Sequence, residues 1–209
     1  MSTQPGLRER KKQRTRETIA RAARQLFAER GYHATTLPDI AEAADVSTRT
    51  IFAYFPSKED ILFSDFALMK DALAQALAER PEGQDALETL RAFILSLHKV
   101  EESELDQQLR LCVANDEVLR SHLRARIAQL EEMIAPAIAK DLDAPANDPR
   151  PQIVAASLTA AFNALSERDE GSNAKPKSAA ALAAAIDPVF TFLRGGLDAL
   201  KHRRQEKKP

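Results

Sequence analysis

Three consecutive residues, Thr48, Arg49 and Thr50, carry side chains suited to reading nucleic-acid bases. An arginine guanidinium donates two hydrogen bonds to the O6 and N7 of guanine, and threonine offers a hydroxyl to base edges and a methyl to thymine. Nearby stand groups that suit phosphate oxygens, namely Thr36, Ser47, Tyr54 and Lys58. Such groups hold register on a duplex without reading its sequence.

Charge along the chain points the same way. The first 24 residues hold eight bases and two acids, a balance of +6, while the whole chain sums to −1, so residues 25–209 carry −7. Lys11 and Arg14 lie in this basic segment and are expected to meet phosphates. A basic end on a mildly acidic body is an electrostatic footprint for a polyanion, although a solvated tail would carry the same charge.

The elements that must position these groups can be read from period and punctuation. Ile19, Ala22, Ala23, Leu26 and Phe27 fall at helical spacing, which predicts a helix over about 10–30 ended by Gly31. Thr36 can cap a second helix, with Asp39 completing a capping box and Leu37, Ile40, Ala41 and Ala44 on one face. Asp45 sits where the chain reverses. Ser47 can cap a third short helix, with Val46 and Ile51 at hydrophobic-staple positions, and Pro56 stops it near Phe55. Residues 36–55 therefore read as a helix-turn-helix, whose second helix leaves its N-terminal end free to enter a major groove.

Ser57 opens a fourth helix, whose period through Ile61, Leu62, Phe66, Leu73 and Leu77 predicts one element as far as Glu79. Further helices are predicted at about 84–100, 103–114, 116–140, 151–168 and 178–201, with long loops at 143–151 and 169–177. Pro188 either starts a new helix or kinks the last one. The fold class is all-α. The expected domains are a disordered arm at 1–9, a DNA-binding domain at 10–60, a helical ligand-binding and dimerisation domain at 61–201, and a disordered basic tail at 202–209.

The 209 residues are 44% hydrophobic and 29% charged, with six glycines and one cysteine, Cys112. Low glycine favours helices over hairpins, and one cysteine excludes an intrachain disulfide. No run approaching about 18 apolar residues is evident, so the expectation is a cytoplasmic protein without a membrane partner. His33, His98, His122 and His202 have no metal-ligand spacing, and the sequence contains no glycine-rich phosphate loop, nucleophile elbow or Cys-x-x-Cys pair. No enzyme, metal or cofactor is therefore expected. A helical interaction module docking its basic end on an acidic partner or a membrane face would leave the two short, tightly joined helices unexplained.

The run from Thr15 to Phe63, with LFAERGYHATTLPDIAEAADVSTRTIFAYFPSKEDILF at its heart, resembles the DNA-binding domain of the TetR family. The likeness lies in the Phe-x-x-x-Gly-Tyr exit from the first helix, Thr-Thr before the second, Ala-x-x-Ala before the turn, Tyr-Phe ending the third and Ser-Lys-Glu opening the fourth. It implies phosphate contacts from Thr36, Tyr54 and Lys58, and base contacts from Thr48, Arg49 and Thr50. Asp45 departs from the glycine usual at the turn, but Asp tolerates the left-handed conformation better than most residues. The resemblance also implies a homodimer on a palindromic DNA operator, acting as a repressor that is released when a small ligand binds the C-terminal domain.

Residues 109–142, with the run Leu-Cys-Val-Ala-Asn-Asp-Glu-Val-Leu-Arg, resemble the C-terminal domain of mycofactocin-type regulators, which implies an apolar or acyl-CoA-like effector. Phe93, Leu97, Leu109, Cys112, Met133 and Phe162 are candidate pocket residues, and each could equally be ordinary core. Leu158, Phe162, Leu165, Val189, Leu193 and Leu197 are candidates for a four-helix dimer interface, with Gly195 and Gly196 permitting close backbone approach. The alternative is that these stripes face the monomer's own core.

Overall fold

The computed structural model describes residues 6–97, 103–170 and 178–205, with side chains described as far as 165 in the second stretch and 199 in the third. Parts of the expected arm (1–5), of the helix at 84–100 (98–100), of the loop at 169–177 (171–177) and of the tail (206–209) lie outside the described residues. In chain order the helices are α1 (Leu7–Arg30), α2 (Leu37–Ala43), α3 (Thr48–Tyr54), α4 (Lys58–Leu62), α5 (Ser64–Ala78), α6 (Ala86–Leu97), α7 (Glu104–Ala114), α8 (Glu117–Ala128), α9 (Glu131–Asp141), α10 (Arg150–Glu170) and α11 (Ala179–Gln205). No strand occurs among the described residues.

The chain divides into two units, residues 1–67 with 102–122 and residues 68–101 with 123–209. In the first unit, Ile19, Ala23 and Phe27 of α1 meet Ile40 of α2, Ile51 of α3, Phe55 and Ile61 in one buried cluster. Leu109 of α7 and Leu119 of α8 join that cluster. Arg24 on α1 pairs with both Asp65 of α5 and Asp106 of α7, so one guanidinium ties three helices together. Residues 102–122, expected in the C-terminal domain, group instead with the N-terminal helices.

The second unit is built on Leu73, Leu77, Leu87, Leu90, Ile134, Ile138, Leu158, Ile186, Phe190, Leu193 and Leu197. Asp141 at the end of α9 accepts from Arg80 at 2.5 Å and from the Ala86 backbone N–H at 2.6 Å, which satisfies an orphan donor at the start of α6. Arg91 forks onto Asp187 with bonds of 2.7 and 3.1 Å, and Arg194 reaches Asp85 at 3.1 Å.

Several expected boundaries move. The single fourth helix divides at Phe63, because Ile61 and Leu62 belong to the first core while Leu73 and Leu77 belong to the second. The element expected at 116–140 divides around Gln129 and Leu130, where the Leu130 N–H bonds back three residues to Ile127. Here too Leu119 serves one core, and Ile134 and Ile138 the other. Apolar period alone runs through both breaks. Pro188 lies inside one continuous α11, so it does not begin a new helix. Helix α1 already starts at Leu7 and α11 continues to Gln205, so residues 7–9 of the expected arm and 202–205 of the expected tail are helical.

Residues Ala179–Ala199 have a mean hydropathy of 1.3 and the length to cross a membrane, although no such stretch was expected. Ile186, Phe190, Leu193 and Leu197 of that helix are buried in the second core, and Asp187 and Arg194 are ion-paired.

Candidate nucleic-acid interface

Helix α1 stops at Gly31, whose φ of 82° lies in the left-handed region that glycine adopts without a Cβ penalty. Tyr32 then turns inward: its ring lies 5.2 Å from that of Phe27 and its hydroxyl donates to Glu59 at 2.6 Å. The buried Thr35 hydroxyl reaches the carbonyls of Gly31 (2.9 Å) and Leu26 (3.2 Å). Lys58, at the start of α4, donates to the carbonyls of Tyr32 (2.8 Å) and Thr35 (2.9 Å) and sits 4.1 Å from the Tyr32 ring centre. The loop before α2 is thus fixed from both sides.

Thr36 caps α2 with the expected capping box: the Asp39 N–H donates to the Thr36 hydroxyl oxygen, and the Thr36 N–H donates to the Asp39 carboxylate at 2.7 Å. The Thr36 hydroxyl also donates to that carboxylate at 2.6 Å, and this bond foremost, with the one from the Thr36 N–H, holds the Asp39 carboxyl below its ordinary value. Asp45 follows with φ of 52°, as expected at the turn. Its N–H bonds to the Glu42 carbonyl and that of Val46 to the Ala41 carbonyl, which closes the end of α2 as a Schellman motif.

Ser47 caps α3, accepting from the Thr50 N–H at 3.0 Å. At about 100° per residue, burying Ile51 turns Arg49, Phe52 and Ala53 outward, and these three are exposed. Thr48 flanks that face, half-buried. Thr50 lies towards the opposite flank, with its hydroxyl 2.8 Å from that of Ser47. The structure therefore groups Arg49 with Phe52, a residue the sequence reading passed over, and turns Thr50 aside. Counting the helical wheel outward from Ile51 would have found Phe52.

At the other end of α3, Arg16 donates to the Tyr54 carbonyl at 3.3 Å and stacks on Phe55 at 4.5 Å, fastening α1 to α3. Between these helices lies an open cleft of about 670 Å³ lined by Arg8, Glu9, Lys11, Lys12, Thr15, Ala53 and Tyr54. Tyr54 and Lys11 thus come together as candidate phosphate groups. Arg14 is exposed on the same helix. Arg8, Lys12 and Thr15 join the cleft without having been singled out, although the basic run held the signal. Among the described residues, no cluster of His, Cys, Asp or Glu that could hold a metal ion is present.

Residues 19–64 match the model of the tetR family of bacterial regulatory proteins, and residues 84–198 match that of the MftR C-terminal domain. The chain is 35% identical over 175 residues to the HTH-type transcriptional regulator TcmR of Streptomyces glaucescens, covering 78% of this chain and 76% of TcmR. The chain belongs to the TetR family.

To the mycofactocin biosynthesis transcriptional regulator MftR of Mycobacterium tuberculosis this TetR-family chain is 30% identical, covering 91% of itself and 95% of MftR. Among solved structures, NalD of Pseudomonas aeruginosa, the secondary repressor of a multidrug efflux pump, superposes with a TM-score of 0.58 at 22% identity over 86% of this chain and 96% of NalD. SmeT in complex with triclosan gives 0.59 at 21% identity over 85% and 90%. The chain is accordingly a helix-turn-helix transcriptional regulator with an all-helical fold, in a family of regulators and not of enzymes.

In this TetR-family chain the pocket candidates separate. Phe93, Met133 and Phe162 pack against the second core, Phe162 with its ring 6.3 Å from that of Phe190, and Leu97 is exposed. Leu109 and Cys112 pack with the first core instead, because α7 lies against α1. Of the interface candidates, Leu158, Leu193 and Leu197 are buried in the second unit's own core, and Phe162 and Val189 are partly buried against it. Leu165 is half-buried. The outward face of α11 carries Phe192, Gly195, Gly196 and Ala199 instead, and that of α10 carries Ile153, Ala160 and Ala164.

Proposed function

We propose that this regulator is a homodimeric repressor that holds a palindromic operator with α3 in successive major grooves, and that a small apolar ligand releases it. The observation that carries the reading is the outward face of α3. Arg49 stands exposed there, on a helix fastened at its far end to a basic cleft. Arg49, flanked by Thr48, supplies base contacts. Thr36, Ser47, Thr50, Tyr54, Lys11, Arg14 and Lys58 supply phosphate contacts. Lys58 spends two of its three ammonium donors on loop carbonyls, which leaves one for a phosphate.

Two heads on a palindrome require a two-fold axis. The exposed faces of α10 and α11 fit that role, since Phe192 is 76% exposed and nothing lies within 4 Å of where a Cβ would stand at Gly195 or Gly196. A partner helix can approach closely there. The effector is proposed to enter the second unit among Phe93, Met133 and Phe162, and an acyl-CoA-like molecule fits the likeness to MftR. A cytoplasmic location follows from acting on DNA operators. Effector binding displaces α5, which continues from the DNA-binding head, and so alters head spacing.

Selection of bound sequences from a random duplex pool tests the reading, with the winner's affinity compared with random DNA across salt. A palindrome bound about 10³-fold or more tighter than random DNA is the expected result. Salt-sensitive binding without enrichment would overturn it.

A further inference from the structure

We propose that Phe52 reads a thymine methyl group in the major groove, beside the base pair read by Arg49; this rests on the placement of α3 proposed above. Among the aromatics of the first unit, Phe27, Tyr32 and Phe55 are buried and Tyr54, Phe63 and Phe66 are half-buried. Phe52 is 55% exposed, on the same face as Arg49 and Ala53. Among the described residues its ring has no aromatic or cation–π neighbour of its own.

The surroundings select the occupant. Arg49 shares the face, and the neighbouring Ala53 borders the cleft that carries Arg8, Lys11 and Lys12. An apolar protein groove would have to desolvate these charges, whereas a polyanion welcomes them. A phenyl ring has no hydrogen-bonding group, so it can serve neither a phosphate oxygen nor a polar base edge. The apolar group that the major groove displays is the C5-methyl of thymine, which marks a T·A pair against the other three. Phe52 therefore adds to the operator a base that Arg49 cannot specify.

The test uses the full chain and the duplex obtained by selection, with single thymidines replaced by deoxyuridine. That exchange removes the methyl and leaves base pairing intact. The wild-type protein is expected to lose about three- to fivefold in affinity at one thymine per half-site. Phe52→Ala binds the thymidine and deoxyuridine duplexes equally at that position, and Phe52→Leu keeps part of the difference. Wild-type affinity unchanged at every deoxyuridine position, or an equal loss in wild type and Phe52→Ala, overturns the inference while leaving the proposed function standing. Failure of any sequence to be selected overturns both.

Discussion

The ammonium of Lys58 lies 2.8 Å from the carbonyl oxygen of Tyr32 and 4.1 Å from the centre of the same residue's ring. One charge thus satisfies two loop carbonyls, those of Tyr32 and Thr35, where α1 has ended and α2 has not begun. A lysine that sequence alone assigns to a phosphate is also a brace for the loop that presents Thr36.

Lys58→Ala is therefore expected to act twice. Losing two charge-assisted hydrogen bonds lowers unfolding stability by about 1.5–3 kcal/mol in urea titration. DNA binding weakens on all sequences alike, and the slope of log affinity against log salt flattens by about one unit. A destabilised variant with an unchanged slope would make Lys58 a brace alone.

Arg49→Ala is expected to relax specificity at one base pair per half-site by about 1–3 kcal/mol, with little change in thermal stability because the side chain is exposed. Competition binding on duplexes altered at single positions measures this. Equal losses on operator and random DNA would remove Arg49 from base reading.

The Thr36–Asp39 capping box predicts a pH dependence. The Asp39 carboxyl is held below the usual aspartate value, chiefly by the Thr36 hydroxyl. A depressed carboxyl stabilises the fold above the unfolded value and loses that contribution as pH falls through the folded one. Thr36→Ala should therefore melt earlier than wild type at neutral pH, and the gap should narrow, without closing, as the pH falls through the lowered value of the folded carboxyl, because the lost cap from the Asp39 N–H does not depend on pH. Calorimetry between pH 2 and 7 checks the narrowing.

Neighbouring residues on α11 should respond oppositely. Phe192→Asp, at an exposed position, is expected to keep the fold but sediment as a monomer and lose operator affinity. Leu193→Ala, 4% exposed, is expected to cost about 2–5 kcal/mol of stability and leave the association state unchanged. A dimeric Phe192→Asp would move the proposed interface off this face.

By itself the sequence determined the helix starts at Thr36, Ser47 and Ser57, the left-handed turn at Asp45 and the family. Capping, turn and motif signals are written within a few residues of one another, so no long-range contact is needed to decode them. Tertiary structure alone decided what each apolar stripe packs against. It divided the expected helices at Phe63 and near Gln129, because their halves serve different cores, and it took Leu109 and Cys112 to the head. It also turned Leu158, Leu193 and Leu197 inward while leaving Phe192 and Phe52 in solvent. The physical reason is that helical period records that one side of a helix is apolar, whereas which partner buries that side, or leaves it bare, depends on residues far away in the chain.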